Sequence, residues 1–248
     1  MLAKSNQKFR ETVMGASQSH HVGDGRRCPY RHAETRLLVQ SCVAAALALI
    51  ATAIWPDIDL ATAQLMILAP ESPLRPFASI LRETGRGAPL LLCAGLVAGF
   101  LTSAMRAPEQ RGAKIRRAVY VVSVLAIGSG LLVNAGLKNY SHRPRPLHTS
   151  EVAGAAAPFR PFYRFDGACR TNCSFASGEA ASAFWTSAPA LLAPPGVRLV
   201  AVSAALGFGL AVSVLRMMLG AHFLSDVAFS ALAILLLTLG ARRLLKID

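Results

Sequence analysis

The chain has 248 residues, 53% of them hydrophobic, with 26 Lys and Arg against 13 Asp and Glu and a formal net charge of +13. A mean hydropathy of +0.43 is too high for an ordinary soluble domain, so the composition reads as that of a membrane protein. The basic residues are scattered over loops between apolar runs and form no compact basic domain. That argues against a nucleic-acid module and favours anionic head groups or phosphate as what the charge meets.

Residues 1–36 are polar and mixed in charge, and they read as a cytoplasmic N-terminal tail that includes His20 and His21. They hold no apolar stretch of signal-peptide type, and Met14 is an alternative start. From 37 to 248 the expectation is an all-α, polytopic six-transmembrane-helix bundle. Its spans are placed at Leu37–Trp55, Ala88–Met105, Ala118–Leu137, Ser177–Ala193, Val197–Leu215 and Phe223–Ala241. Each is near the roughly 20 residues that cross about 30 Å of hydrocarbon. The fourth is the least apolar, with Ser182, Thr186 and Ser187 inside it, and an interfacial helix is its alternative. Between the first two spans, "PLRPFASILRETGR" reads either as a short amphipathic helix along the membrane surface or as an irregular loop.

Lys and Arg in short loops set orientation. Arg106, Arg111, Lys114, Arg116 and Arg117 follow the second span, and Arg242, Arg243 and Lys246 close the chain. With six spans these fall on the same side as the basic tail, the expected cytoplasm. The external loops also carry cations: Arg75, Arg82 and Arg86 in the first, and Lys138, Arg143, Arg145, Arg160, Arg164 and Arg170 in the second. An anionic ligand or lipid head groups would explain them. Cys169 and Cys173 share the second external loop and could pair in an oxidising compartment. No four-ligand metal spacing is evident, so no metal and no cofactor are expected.

Three clusters carry chemistry. In "LKNYSHRPRPLH", Lys138 and Arg145 stand in a frame stiffened by Pro144 and Pro146, and two fixed cations make an anion clamp. In "NCSFASGEAASAFW", Ser177 and Gly178 open a helix whose free N–H groups suit an anion. In "LRMMLGAHFLSD", Asp226 follows His222 by four residues. One helical turn would let the carboxylate accept the imidazole Nδ1–H and leave Nε2 free as nucleophile or base. Arg216 precedes that histidine across a tight turn. Alone, each cluster has a plain structural reading: a snorkelling helix end, an N-cap, an ion pair between helices. Under the six-span arrangement all three meet at one membrane face.

Taken in order, these residues resemble the type 2 phosphatidic acid phosphatase superfamily. That family's signature is a lysine, six residues and Arg-Pro; then Pro-Ser-Gly-His; then Ser-Arg, five residues, His, three residues and Asp. Lys138 to Arg145-Pro146, Ser177-Gly178, and Arg216 to His222 to Asp226 keep these spacings. The resemblance implies a metal-independent membrane lipid phosphatase in which His222 attacks phosphorus and forms a phosphohistidine. Asp226 would orient it, and Lys138, Arg145, Ser177, Gly178 and Arg216 would bind the phosphoryl oxygens. Ala176 and Leu215 replace the motif proline and serine. Glu179 replaces the second histidine, the family's leaving-group acid, and is the expected substitute; His142 and His148 are the alternatives. The closest implied kind is a bacterial lipid phosphatase at the outer face of the inner membrane, such as the lipid A 1- and 4′-phosphatases. Its substrate would be a membrane lipid phosphate, met on the periplasmic side. A lipid phosphotransferase, a phosphatase for undecaprenyl pyrophosphate or phosphatidylglycerophosphate, and a non-catalytic lipid-binding member remain open.

Overall fold

The structure, a computed structural model, describes residues 33–247. The expected tail lies almost wholly outside the described residues, and α1 begins at Ala33. The helices that build the bundle, in chain order, are α1 (Ala33–Ile54), α2 (Asp57–Met66), α3 (Leu74–Arg86), α4 (Ala88–Arg106), α5 (Pro108–Tyr140), α6 (Gly178–Trp185), α7 (Ser187–Ala190), α8 (Pro195–Met218) and α9 (Leu224–Leu244), and the loop between α5 and α6 holds two short helical turns, Pro146–His148 and Ser150–Ala153. Among the described residues extended pairing is limited to one isolated bridge, Thr149 with Ala157.

Among the described residues, five stretches are long and apolar enough to cross a membrane: α1, α3 with α4, α5, α8 and α9. Their large apolar side chains are extensively exposed. On α1, for example, Val39, Val43, Leu47, Ile50 and Ile54 lie on the outside. The stripe recurs every three to four residues, so one face of the helix meets lipid and the other the bundle. The chain is an all-α, multi-pass membrane protein.

The expected fourth span takes a different form. It is divided into α6 and α7, which are eight and four residues long. This segment is the core of the bundle. Ala180, Ala181, Trp185, Ala188 and Leu191 have no exposed surface, and α6 packs against α5, α8 and α9. Helices surround it on several sides, so it needs no continuous lipid-facing stripe. Its serines and threonines bond backward into the preceding turn: Ser182, Thr186 and Ser187 donate to the carbonyls of Glu179, Ala183 and Phe184. The Trp185 indole donates to the Val121 carbonyl at 2.8 Å and ties α6 to α5.

The second half of α5, Val124–Leu137, is wound as a π-helix. An i→i+5 ladder brings residues four to five apart onto one face. That face carries Ala126, Gly130, Asn134 and Lys138, and it lines the cavity described next. The apolar composition of this stretch looks like any membrane helix, and nothing in it announces the wider winding.

Candidate active site

A cavity of about 600 Å³ opens where the ends of α5 and α8 meet the start of α6. Lys138, Arg145 and Arg216 line it together with Gly178 and Glu179. Three of the sequence clusters therefore contribute to one space. Arg82 and Arg86, from α3, line it as well. An apolar cleft of about 150 Å³, bounded by Leu81, Phe208, Val212 and Leu215, shares Arg82, Arg86 and Glu179 with the cavity.

Lys138 and Arg145 are held by one residue. Asn172 accepts from Lys138 Nζ on its side-chain oxygen at 3.4 Å and from Arg145 Nη2 on its carbonyl at 3.0 Å. It has a positive φ of 50° and sits inside the small ring closed by a Cys169–Cys173 disulfide. The Cys173 N–H also donates to the Lys138 carbonyl at 3.0 Å. The pairing that the sequence leaves open is thus present, and it braces the clamp.

Gly178 is the first residue of α6, and Ser177 is its N-cap. The Ser177 hydroxyl accepts the Ala180 N–H at 3.3 Å, and the residue is fully buried away from the cavity surface. Its side chain serves the helix in this state. Gly178 has no room for a side chain, because a Cβ there would collide with the Asn134 amide.

Arg216, at the end of α8, is 5% exposed. Its Nε is buried without a hydrogen-bond partner among the described residues; Glu179 Oε2 lies 3.5 Å away. Glu179 is claimed more firmly by Arg82, whose Nε reaches both carboxylate oxygens at 3.1 Å and whose Nη2 reaches Oε1 at 2.8 Å. Two guanidiniums on one carboxylate favour its ionised form. His142 and His148, the alternative acids, do not line the cavity. His142 Nδ1 is 2.9 Å from the Cys169 carbonyl oxygen, and His148 is exposed.

His222 lies in the turn between α8 and α9, 1% exposed. Gly220, with φ +65°, makes that turn. A Cβ at this position would strike Leu147, so glycine is needed for both the conformation and the close approach. The imidazole Nδ1 is 2.7 Å from the Ser174 carbonyl oxygen and 3.5 Å from Asp226 Oδ2. A carbonyl only accepts, so Nδ1 carries the proton and Nε2, without a hydrogen bond among the described residues, is the free nitrogen. Burial, aided by the charges of Arg216 and Lys138 and opposed by Asp226, pushes the imidazole pKa down to about 4.

The sequence expected Asp226 to take the Nδ1–H. The backbone of Ser174 takes it instead, and Asp226 is occupied elsewhere. Its carboxylate accepts the Phe223 N–H at 2.9 Å, the Ser174 hydroxyl and the Arg143 guanidinium. Arg143 is completely buried. It also pairs with Asp59 Oδ2 at 2.8 Å, donates to Ser225 Oγ at 2.7 Å and stacks over the Phe223 ring at 4.3 Å. Asp59 in turn accepts the Ser225 N–H at 2.8 Å. This network fastens α2, the loop that follows α5 and the start of α9 together under the histidine. In the sequence Arg143 reads as one of the external-loop cations, and Asp59, Ser174 and Asn172 are not among the candidate site residues. The available signal for Asp59 was an acid next to an apolar run, since ionisable groups near membrane depth are rarely idle.

Residues 118–246 match the PAP2 superfamily, and the chain belongs to that family. Over 124 residues, half of this chain and 52% of the relative, it is 37% identical to a lipid A 4′-phosphatase of Rhizobium leguminosarum. It is 38% identical over 127 residues to a lipid A 4′-phosphatase of Francisella tularensis subsp. novicida, covering 57% of that protein. The chain thus spans about half the length of the curated relatives it matches. No solved structure matches.

Proposed function

We propose that the protein is a membrane lipid phosphatase that hydrolyses a phosphomonoester through a phosphohistidine, with the 4′-phosphate of lipid A as its substrate. The observation that carries the reading is the meeting of Lys138, Arg145 and Arg216 at one cavity, with the buried His222 outside its lining but near enough for the charges of Arg216 and Lys138 to act on the ring, its tautomer fixed with Nε2 free. The relatives' activity supplies the choice of lipid. The adjoining apolar cleft suits an acyl chain next to a phosphate.

In this mechanism the phosphoryl group docks among the three cations and the N–H groups at the start of α6. His222 Nε2 attacks phosphorus in line with the leaving sugar oxygen, and the cations stabilise the charge on the equatorial oxygens without a metal. Glu179 is the proton donor to that oxygen. A dianionic phosphate that draws Arg216 away from Glu179 and places its own negative charge beside it raises the carboxylate's proton affinity, and Glu179 takes up from solvent the proton it must deliver. Water cleaves the phosphohistidine and releases inorganic phosphate. Asp226 keeps the turn in place and balances charge through Arg143. Ser177 positions Gly178.

The six-segment topology belongs to the same reading. The end of α8 and the start of α6 meet at the cavity, so α6 and α7 must carry the chain back toward the far side. Residues 178–190, at about 1.5 Å per residue, cover roughly 20 Å of that path. The basic loop 106–117 and the basic C-terminal residues then face the cytoplasm, and the cavity faces the periplasm of the inner membrane.

The test is phosphate release by the detergent-purified chain from lipid A, undecaprenyl pyrophosphate, phosphatidylglycerophosphate and phosphatidic acid, each with EDTA present. Preferential release from the lipid A 4′ position supports the reading. Release from none of the four, or activity abolished by the chelator, refutes it.

A further inference from the structure

The mechanism above draws its phosphate ligands from the segment that matches the family. The cavity has a further cationic wall that lies outside that segment. Arg82 and Arg86 are one turn apart on α3, and both face the space shared by Lys138, Arg145 and Arg216. α3 runs on into α4 and touches α8. Ala78 is its one buried residue, while Leu74, Phe77 and Ile80 are exposed. The contact that ties its polar side to the site is the fork of Arg82 on Glu179.

That fork has a particular geometry. The Glu179 carboxylate lies between the Arg82 guanidinium, at 2.8–3.1 Å, and Arg216 Nε, at 3.5 Å. A planar guanidinium fits the paired oxygens of a phosphate as it fits those of a carboxylate. Arg216 is 5% exposed, and its Nε has no hydrogen-bond partner among the described residues. A buried, unsatisfied cationic donor at a cavity wall awaits an acceptor. Glu179 reaches it too distantly to supply one.

We propose that Arg82 is a ligand of the substrate's phosphate, parked on Glu179 until a phosphate monoester enters between it and Arg216. The exchange makes α3 part of the active site and leaves it tethered through the substrate while the phosphate is bound. It also gives the carboxylate its chance to change state, because one event removes both guanidiniums from it. The inference rests on the phosphatase reading for its substrate and on the cavity geometry for its residue.

The experiment uses the full chain in detergent, with Arg82→Ala, Arg82→Gln and Arg82→Lys compared with the wild type. Binding of orthovanadate and of inorganic phosphate is measured by titration calorimetry, and steady-state hydrolysis is measured in parallel. The expected result is at least tenfold weaker oxyanion binding and a correspondingly higher KM in the Ala and Gln variants. The Lys variant should recover part of both, since it keeps the charge and loses the fork. Oxyanion affinity unchanged in both Ala and Gln variants overturns the assignment, as does a wild type that binds neither oxyanion. Arg82-dependent oxyanion binding without turnover of any lipid phosphate would instead overturn the phosphatase reading and leave the site standing. Circular dichroism and elution volume verify that each variant is folded.

Discussion

His222 Nδ1 lies 2.7 Å from the carbonyl oxygen of Ser174, closer than the 3.5 Å that separates it from Asp226 Oδ2. The ring's tautomer is therefore set by a backbone group that substitution cannot remove. Asp226→Asn should retain the Nδ1–H bond to Ser174 and a measurable turnover, while His222→Asn should have none. The comparison is made by steady-state hydrolysis on variants matched for elution volume. Equal, complete loss in both would mean that the carboxylate, and not the carbonyl, orients the ring.

Arg143 and Arg145 are two residues apart in one proline-rich frame, and their tasks differ. Arg143 is buried between Asp59 and Asp226, and removing one partner of such a group strands the others, at a cost of about 3–5 kcal/mol. Arg143→Ala should lower thermal stability in detergent sharply. Arg145→Ala should leave the melting temperature within a degree or two and raise KM, because Arg145 borders the cavity. Thermal unfolding and KM, measured on both variants, check the division.

The disulfide has a functional consequence through Asn172. Reduction frees the ring that holds Asn172 against Lys138 and Arg145. Mild reductant, or Cys169→Ser with Cys173→Ser, should raise KM several-fold with a smaller change in kcat. Asn172→Ala should resemble the double serine variant. An unchanged KM in all three would remove Asn172 as a positioning residue.

The His222 pKa of about 4 has a definite sign in the pH profile. A depressed value means that the neutral, nucleophilic ring persists to lower pH than a free histidine would allow. On the acid side, kcat/KM should remain free of a histidine limb near pH 6.5 and fall only toward pH 4. The substrate's own phosphate ionisation is separated by comparing esters of different acidity. A substrate-independent limb near 6.5 would show an ordinary, solvated imidazole.

Gly178 and Asn134 form a steric pair. A Cβ at 178 would collide with the Asn134 amide, and inserting a methyl into a packed site costs typically about 1–3 kcal/mol. Gly178→Ala should lose stability and activity, and Asn134→Gly should restore part of the stability. A double-mutant cycle of melting temperatures measures the coupling.

Which parts of this could be read from the chain depended on the kind of signal. Long apolar runs located α1, α4, α5, α8 and α9, because hydropathy reports what faces lipid. The fixed spacings of Lys138 to Arg145 and of Arg216 to His222 to Asp226 located the cavity's cations and the histidine. The π-helical winding of Val124–Leu137 has no compositional mark. The division of the fourth segment into α6 and α7 reflects its enclosure by neighbours, which a window of hydropathy does not see. Arg82 and Asp59 come from a stretch far away in sequence, and only folding brings them to the site. The bond from His222 to Ser174 uses a carbonyl, which every residue has, so no side-chain pattern could single it out.

The central claim is that His222 becomes covalently phosphorylated during turnover. Rapid alkaline quenching after mixing with lipid A labelled at the 4′-phosphate, followed by peptide mapping, reads it directly. Label on the peptide containing His222, absent in His222→Asn and chased by water, is the expected result. Full wild-type turnover with no trapped label, or with label on another side chain, would contradict it.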